Sequence, residues 1–152
     1  MSLRDLANTK PKRVRFTRQL DRIQIRRMKK RGYDAERELV KMLRNAGFHS
    51  VRIPVSAPSN EPLPDVFGVR DNAILSIEVK SQARYAYYKK KQIVKLFEFL
   101  EIHKIYPIRI AVIAAKFKYK GWAFQDIPKP GDYSIRIGQG ISFQDLIRKT
   151  IG

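Results

Sequence analysis

Apolar residues along this chain follow two periods. Behind Asp34, a natural N-cap, Ala35, Leu39, Met42, Leu43 and Ala46 recur at helical spacing, and Gly47 is a natural stop. Residues 89–104 repeat the pattern, with Ile93, Leu96, Phe97 and Leu100 on one face and Pro107 just past the end. Elsewhere the period shortens to two. Residues 48–53, 66–69 and 73–80 read as strands, the last two joined as a hairpin about Asp71-Asn72. Pro54, Pro58, Pro62 and Pro64 make the stretch before that hairpin a loop. Residues 108–117 form a β-rich buried run, 122–127 a further strand, 132–137 an additional strand and 143–149 a short helix. The order α-β-β-β-α-β-β predicts an α/β fold, a mixed sheet flanked by helices.

The 152 residues suit one globular domain that needs neither disulfide nor metal to hold its core. The chain has no cysteine, which excludes a disulfide scaffold, a thiolate zinc finger and a cysteine nucleophile. Lys and Arg number 32 against 14 Asp and Glu, a net charge of +18, so the expected partner is a polyanion, nucleic acid before membrane. Residues 1–31 hold twelve Lys/Arg and two Asp, more than half of the excess in a fifth of the length. They read as a basic, partly flexible or helical arm that grips phosphates, ahead of a body at 32–152. The longest apolar run, Ile110 to Ala115, is too short to span a bilayer, and the polar N-terminus has no secretory h-region. The expectation is a cytoplasmic, DNA-associated protein. There is no Walker-type phosphate loop, so no nucleotide cofactor is expected.

In so basic a chain the acids are informative. Along residues 73–80, Leu75, Ile77 and Val79 share one face, while Ile74, Ser76, Glu78 and Lys80 share the other. Alone, Glu78 and Lys80 read as an edge-strand ion pair. Asp65 changes the weighting, because the hairpin brings it beside Glu78. Two hard oxygen ligands on adjacent strands suit Mg²⁺, which accepts one or two carboxylates and leaves sites open for phosphate. Lys80 then stands by as a fixed positive charge. Glu36, in the first turn of the expected helix, is otherwise explained by the helix dipole. Tyr85, Tyr87 and Tyr88 beside Lys89-Lys90-Lys91 offer stacking next to phosphate contacts, or else an aromatic lid on the helix start.

The strings GYDAERELV (32–40), GFHSVRIPVS (47–56), PDV (64–66), IEVK (77–80) and QIVKLFEF (92–99) resemble archaeal-type Holliday junction resolvases, cellular or viral members of the PD-(D/E)XK restriction-endonuclease-like superfamily. The resemblance implies a central mixed five-stranded sheet flanked by helices, here with a basic N-terminal extension. It implies a homodimer that resolves four-way DNA junctions by paired symmetric Mg²⁺-dependent nicks, with Mn²⁺ as a substitute ion and 5′-phosphate ends. By the same resemblance, Glu36, Asp65, Glu78 and Lys80 are catalytic. Asp65, Glu78 and the Val79 carbonyl bind metal, with Glu36 a further candidate. Arg37, Arg52, Ser56 and Gln92 lie at the bound strand, and Tyr88, Lys89, Lys90 and Lys91 join them as candidate DNA contacts. Two alternatives stand beside this: a related nuclease of other branched or duplex DNA, and a non-catalytic nucleic-acid-binding protein. The intact carboxylate set argues against the second.

Overall fold

The computed structural model describes residues 21–54 and 60–151. Most of the basic arm, together with Ser56, lies outside them. The first described element is helix α1 (Arg22–Asn45), far longer than its apolar pattern predicts. Its start is set by a capping box: Asp21 Oδ1 accepts from the Gln24 amide at 2.8 Å and Gln24 Oε1 from the Asp21 amide at 3.2 Å. The next turns are almost all Arg, Lys, Gln and Met, straight-chain residues that favour a helix without needing a core. Asp34 is therefore not a cap. It sits mid-helix, paired with Lys30 at 2.8 Å and Arg37 at 3.2 Å, and Glu36 lies four turns into the helix, beyond the reach of its N-terminal dipole. The helix runs without a break through residues 31 and 32.

Strands β1 (His49–Arg52), β2 (Val66–Arg70) and β3 (Ala73–Gln82) follow, then β4 (Tyr85–Tyr88), helix α2 (Lys90–Ile102), β5 (Ile108–Phe117), β6 (Gly121–Ile127), β7 (Tyr133–Arg136) and helix α3 (Phe143–Arg148). Five strands form one mixed sheet in the order β1-β2-β3-β5-β6, with β3 and β5 parallel and every other pair antiparallel. The parallel pair needs a crossover, which α2 supplies. The expected fold class holds, with one addition. Strand β4, which the sequence pattern does not predict, pairs with β7 in a separate two-stranded sheet.

Each sheet face buries its own cluster. Ala35, Leu39, Val40 and Leu43 of α1 pack with Leu75, Ile77, Val79, Val112, Phe124 and Leu146. On the other face Ile93, Leu96, Phe99 and Leu100 of α2 meet Ile74, Ile113, Tyr88 and Ile135, so the small β4–β7 sheet closes that side. Alternation along β3 thus divides as the sequence predicts. The chain's tail is fastened at Gly140, whose φ of +85° and missing Cβ let Ile141 bridge Phe124. A Cβ there would stand 2.8 Å from the Phe124 carbonyl oxygen. Gly140→Ala is expected to destabilise the fold by about 1–3 kcal/mol, read as a lowered Tm with junction affinity intact.

Candidate metal and phosphate site

The hairpin register decides what the strands present. Val66 opposes Ile77 and Arg70 opposes Ala73, so one further step sets Asp65 against Glu78. At that step the ladder loosens: the Asp65 amide donates to the Ile77 carbonyl at 3.1 Å, one residue off register. The strand edge of β3 beyond it is left to a side chain, and Asp65 Oδ2 accepts from the Val79 amide at 2.9 Å. In an antiparallel ladder a residue's N–H and C=O lie on the same edge, so the Val79 carbonyl faces the Asp65 side as well. Pro64, buried just before, holds the loop's exit.

Asp65 and Glu78 are half-buried and close enough for each to shift the ionisation of the other. Burial raises both above the usual carboxylate range. For Asp65 the Val79 amide, Glu78, Lys80 and Arg52 oppose that rise. Glu78 is pushed well up, by burial first and then by the Asp65 charge, with Lys80 the main opposing influence. Two carboxylates that cannot comfortably both ionise form a site short of positive charge. Hard oxygens on adjacent strands with a carbonyl on the same edge are the donors a small divalent ion takes.

Glu36 reaches this pair from α1. Burial raises its carboxyl and the Asp65 charge adds to that, while Arg52 pulls it back. Arg52 Nε donates to Glu36 Oε2 at 2.9 Å, and the Arg52 guanidinium stacks 4.9 Å from the Tyr33 ring centroid. Glu36 is thus turned to Arg52. Among the described residues no group of three His, Cys, Asp or Glu meets the spacing of a metal cluster. Arg52 holds a carboxylate rather than standing free, and Tyr33, which holds Arg52, lies in the GYDAERELV string but was given no role by it.

Lys80 extends from the same face of β3 as Glu78, its Nζ 5.8 Å from the centroid of the Tyr88 ring. Tyr88 itself is a correction. Expected at the DNA, it is fully buried and donates its hydroxyl to the Ala114 carbonyl at 2.6 Å. Burial raises its phenol far above the ordinary value, the nearby Glu78 and Asp65 charges adding to that. In β4, Ala86 and Tyr88 point inward, while Tyr85 and Tyr87 are exposed. Tyr88→Phe is expected to lose about 1–2 kcal/mol of stability and leave junction affinity unchanged. A lowered Tm beside an unchanged binding curve checks both.

The other expected contacts divide. Lys89, Lys90 and Lys91 are exposed around the start of α2. Gln92 is partly committed, its Oε1 accepting from the Lys89 amide at 3.4 Å. Arg37 is exposed on α1 and paired with Asp34. No described helix is long and apolar enough to cross a membrane.

Comparison with known proteins follows the same lines. The model of the archaeal Holliday junction resolvase (Hjc) family matches residues 27–151. The crossover junction endodeoxyribonuclease Hje of Saccharolobus islandicus (strain REY15A) is 44% identical over 119 residues, 77% of this chain and 87% of that protein. Hje of Sulfolobus acidocaldarius is 39% identical over 118 residues, covering 76% and 84%. A crossover junction endodeoxyribonuclease of Sulfolobus islandicus rod-shaped virus 1 is 36% identical over 86 residues, 56% of this chain and 71% of its own length. The solved structure of Archaeoglobus fulgidus Hjc, a Holliday junction resolvase, superposes with a TM-score of 0.57 at 23% identity, over 70% of this chain and 88% of that one, and so shares the fold. A model match from the first helix to the last, and identity of 39–44% across three quarters of the sequence, mean that this chain belongs to the archaeal Holliday junction resolvase family.

Proposed function

We propose that this protein is a structure-selective endodeoxyribonuclease that resolves four-way DNA junctions by paired, symmetric Mg²⁺-dependent nicks, as a homodimer. The observation that carries this is the pairing of Asp65 and Glu78 on adjacent strands, one fixed by the Val79 amide and both raised by burial, with Lys80 alongside. Membership of the family and the names of the relatives support the junction as substrate.

Asp65, Glu78 and the Val79 carbonyl would hold the ion; a bound Mg²⁺ polarises a phosphoryl oxygen and lowers the pKa of a coordinated water. The chain's own residues do the rest. The Val79 amide fixes the Asp65 side chain at the end of the β2–β3 pair. Lys80 opposes the negative charge that grows on the phosphoryl oxygens. Glu36, held by Arg52, keeps a carboxylate facing the pair from the helix side and orients water on the flank the strands leave open. Arg37 and the lysines at 89–91 take flanking phosphates, which sets position without reading sequence. The dimer follows from the substrate, since a junction with two-fold symmetry presents two equivalent strands.

The test offers the full-length protein a mobile four-way junction, a Y-fork and a linear duplex, each with Mg²⁺ and with EDTA. Symmetric paired nicks on the junction, lost in EDTA, are expected. Equal cutting of all three substrates would make it a nuclease of broader substrate; binding without cutting would make it a DNA-binding protein.

A further inference from the structure

A second cavity lies one step beyond the catalytic face. It holds about 430 Å³ between α1 and the carboxyl ends of β3 and β5, and Arg31, Ser81, Gln82, Lys118 and Tyr119 line it. Strand β3 puts it next to the site just described. Gln82 follows Lys80 on the same face of β3, about 6.6 Å further along the strand. Arg31 stands five residues before Glu36 on α1, about 7.5 Å along the helix axis. The step from Lys80 to Gln82 approximates the reach from one phosphate to the next along a nucleic-acid strand.

The charges in this cavity are not all spent. Lys116 is paired with Glu38, and Asp34 is neutralised by Lys30 and Arg37. Asp34 is held below the ordinary carboxylate range by the Lys30 hydrogen bond. Among the described residues, Arg31 and Lys118 have no carboxylate partner. Lys118 Nζ lies 5.2 Å from the centroid of the Tyr119 ring. Tyr119 is 91% exposed, and its backbone is left-handed, with φ of +65°. An aromatic residue in that region is strained, and no core contact explains why the turn keeps one. Cations that grip a backbone beside a free aromatic face are what a protein uses to hold an unstacked nucleotide.

We infer that this cleft captures the nucleotide flanking the scissile phosphate, Arg31 and Lys118 clasping its phosphate and Tyr119 stacking on its base. This rests on the junction-cleaving function proposed above and deepens it. A branch point exposes base faces that a continuous duplex hides, so the ring would favour the junction while the cations serve any strand. The preference for branched DNA would then come partly from one turn between β5 and β6.

The test measures binding of the full chain to a labelled four-way junction and to a linear duplex in EDTA, over a range of salt. Arg31→Ala with Lys118→Ala is expected to weaken junction binding about ten-fold and lower the slope of log K against log salt by about 1. Tyr119→Gly is expected to weaken junction binding about ten-fold and leave duplex binding unchanged. Its Tm should not fall, since glycine accepts the left-handed backbone. Lys41→Ala with Lys129→Ala, two exposed lysines outside the cleft, is the control for loss of charge alone. The inference is overturned if the Arg31→Ala, Lys118→Ala variant matches the slope of the two-lysine control, or if Tyr119→Gly binds the junction as wild type does or loses junction and duplex equally. A wild-type protein that neither prefers nor nicks a junction would instead remove the underlying function, and the capture site with it.

Discussion

Asp65→Asn should abolish Mg²⁺-dependent cleavage, by about 10³-fold or more, while the protein folds normally and binds a junction as well as before or more tightly. The structure explains both halves. Asparagine keeps an oxygen that can accept from the Val79 amide, so the hydrogen bond that fixes the side chain at 2.9 Å survives. What disappears is the negative charge that makes this oxygen a strong ligand for a hard cation. Glu78 loses the neighbour whose charge helps to raise it, and its carboxyl falls back toward its ordinary range. One fewer anion then faces the DNA phosphates, which is why affinity should not suffer. Junction nicking and gel-shift measurements on one preparation check the separation. A variant that still cuts at the wild-type rate would end the metal assignment.

Lys80→Met should lower cleavage by about 10²–10³-fold with little change in stability. Methionine keeps most of the length of the side chain without its charge, so the substitution removes the ammonium, with its approach to the Tyr88 ring, and little else. Lys80 opposes the rise of both Asp65 and Glu78. In its absence the carboxylates depend more heavily on the metal, and the Mg²⁺ concentration needed for half-maximal cutting should shift as well. Single-turnover rates at saturating Mg²⁺ separate the two effects. A rate equal to wild type under those conditions would leave Lys80 a structural partner of the carboxylates and nothing more.

Much of this site was legible before any coordinates. A strand with alternating apolar and polar positions, a two-residue turn and a carboxylate at the right count before it are enough to set Asp65 against Glu78, because register in a tight hairpin leaves no freedom. The same alternation predicts which of residues 74–79 enter which cluster. What the pattern could not show lies where burial is not the cause of structure. The first turns of α1 have no apolar stripe, since Arg22 to Lys30 stay helical through propensity and the Asp21–Gln24 cap. A partly helical arm is among the expectations for residues 1–31; what the pattern hides is that this helix continues through Asp34 without a break. Strand β4 was hidden by its neighbours: Tyr85, Tyr87 and Tyr88 next to three lysines read as a surface patch. Two of those rings are exposed, but Tyr88 is core. The Glu36–Arg52–Tyr33 chain joins a helix to a strand across the fold, and no local count of residues brings those three together.

Anomalous diffraction from crystals soaked in Mn²⁺ tests the central claim most directly. A single strong peak within coordination distance of the Asp65 and Glu78 carboxylates and the Val79 carbonyl is expected, and it should be absent from Asp65→Asn crystals treated in the same way. Density for the ion elsewhere on the chain, with these three groups unoccupied at concentrations that support full cleavage, would contradict it.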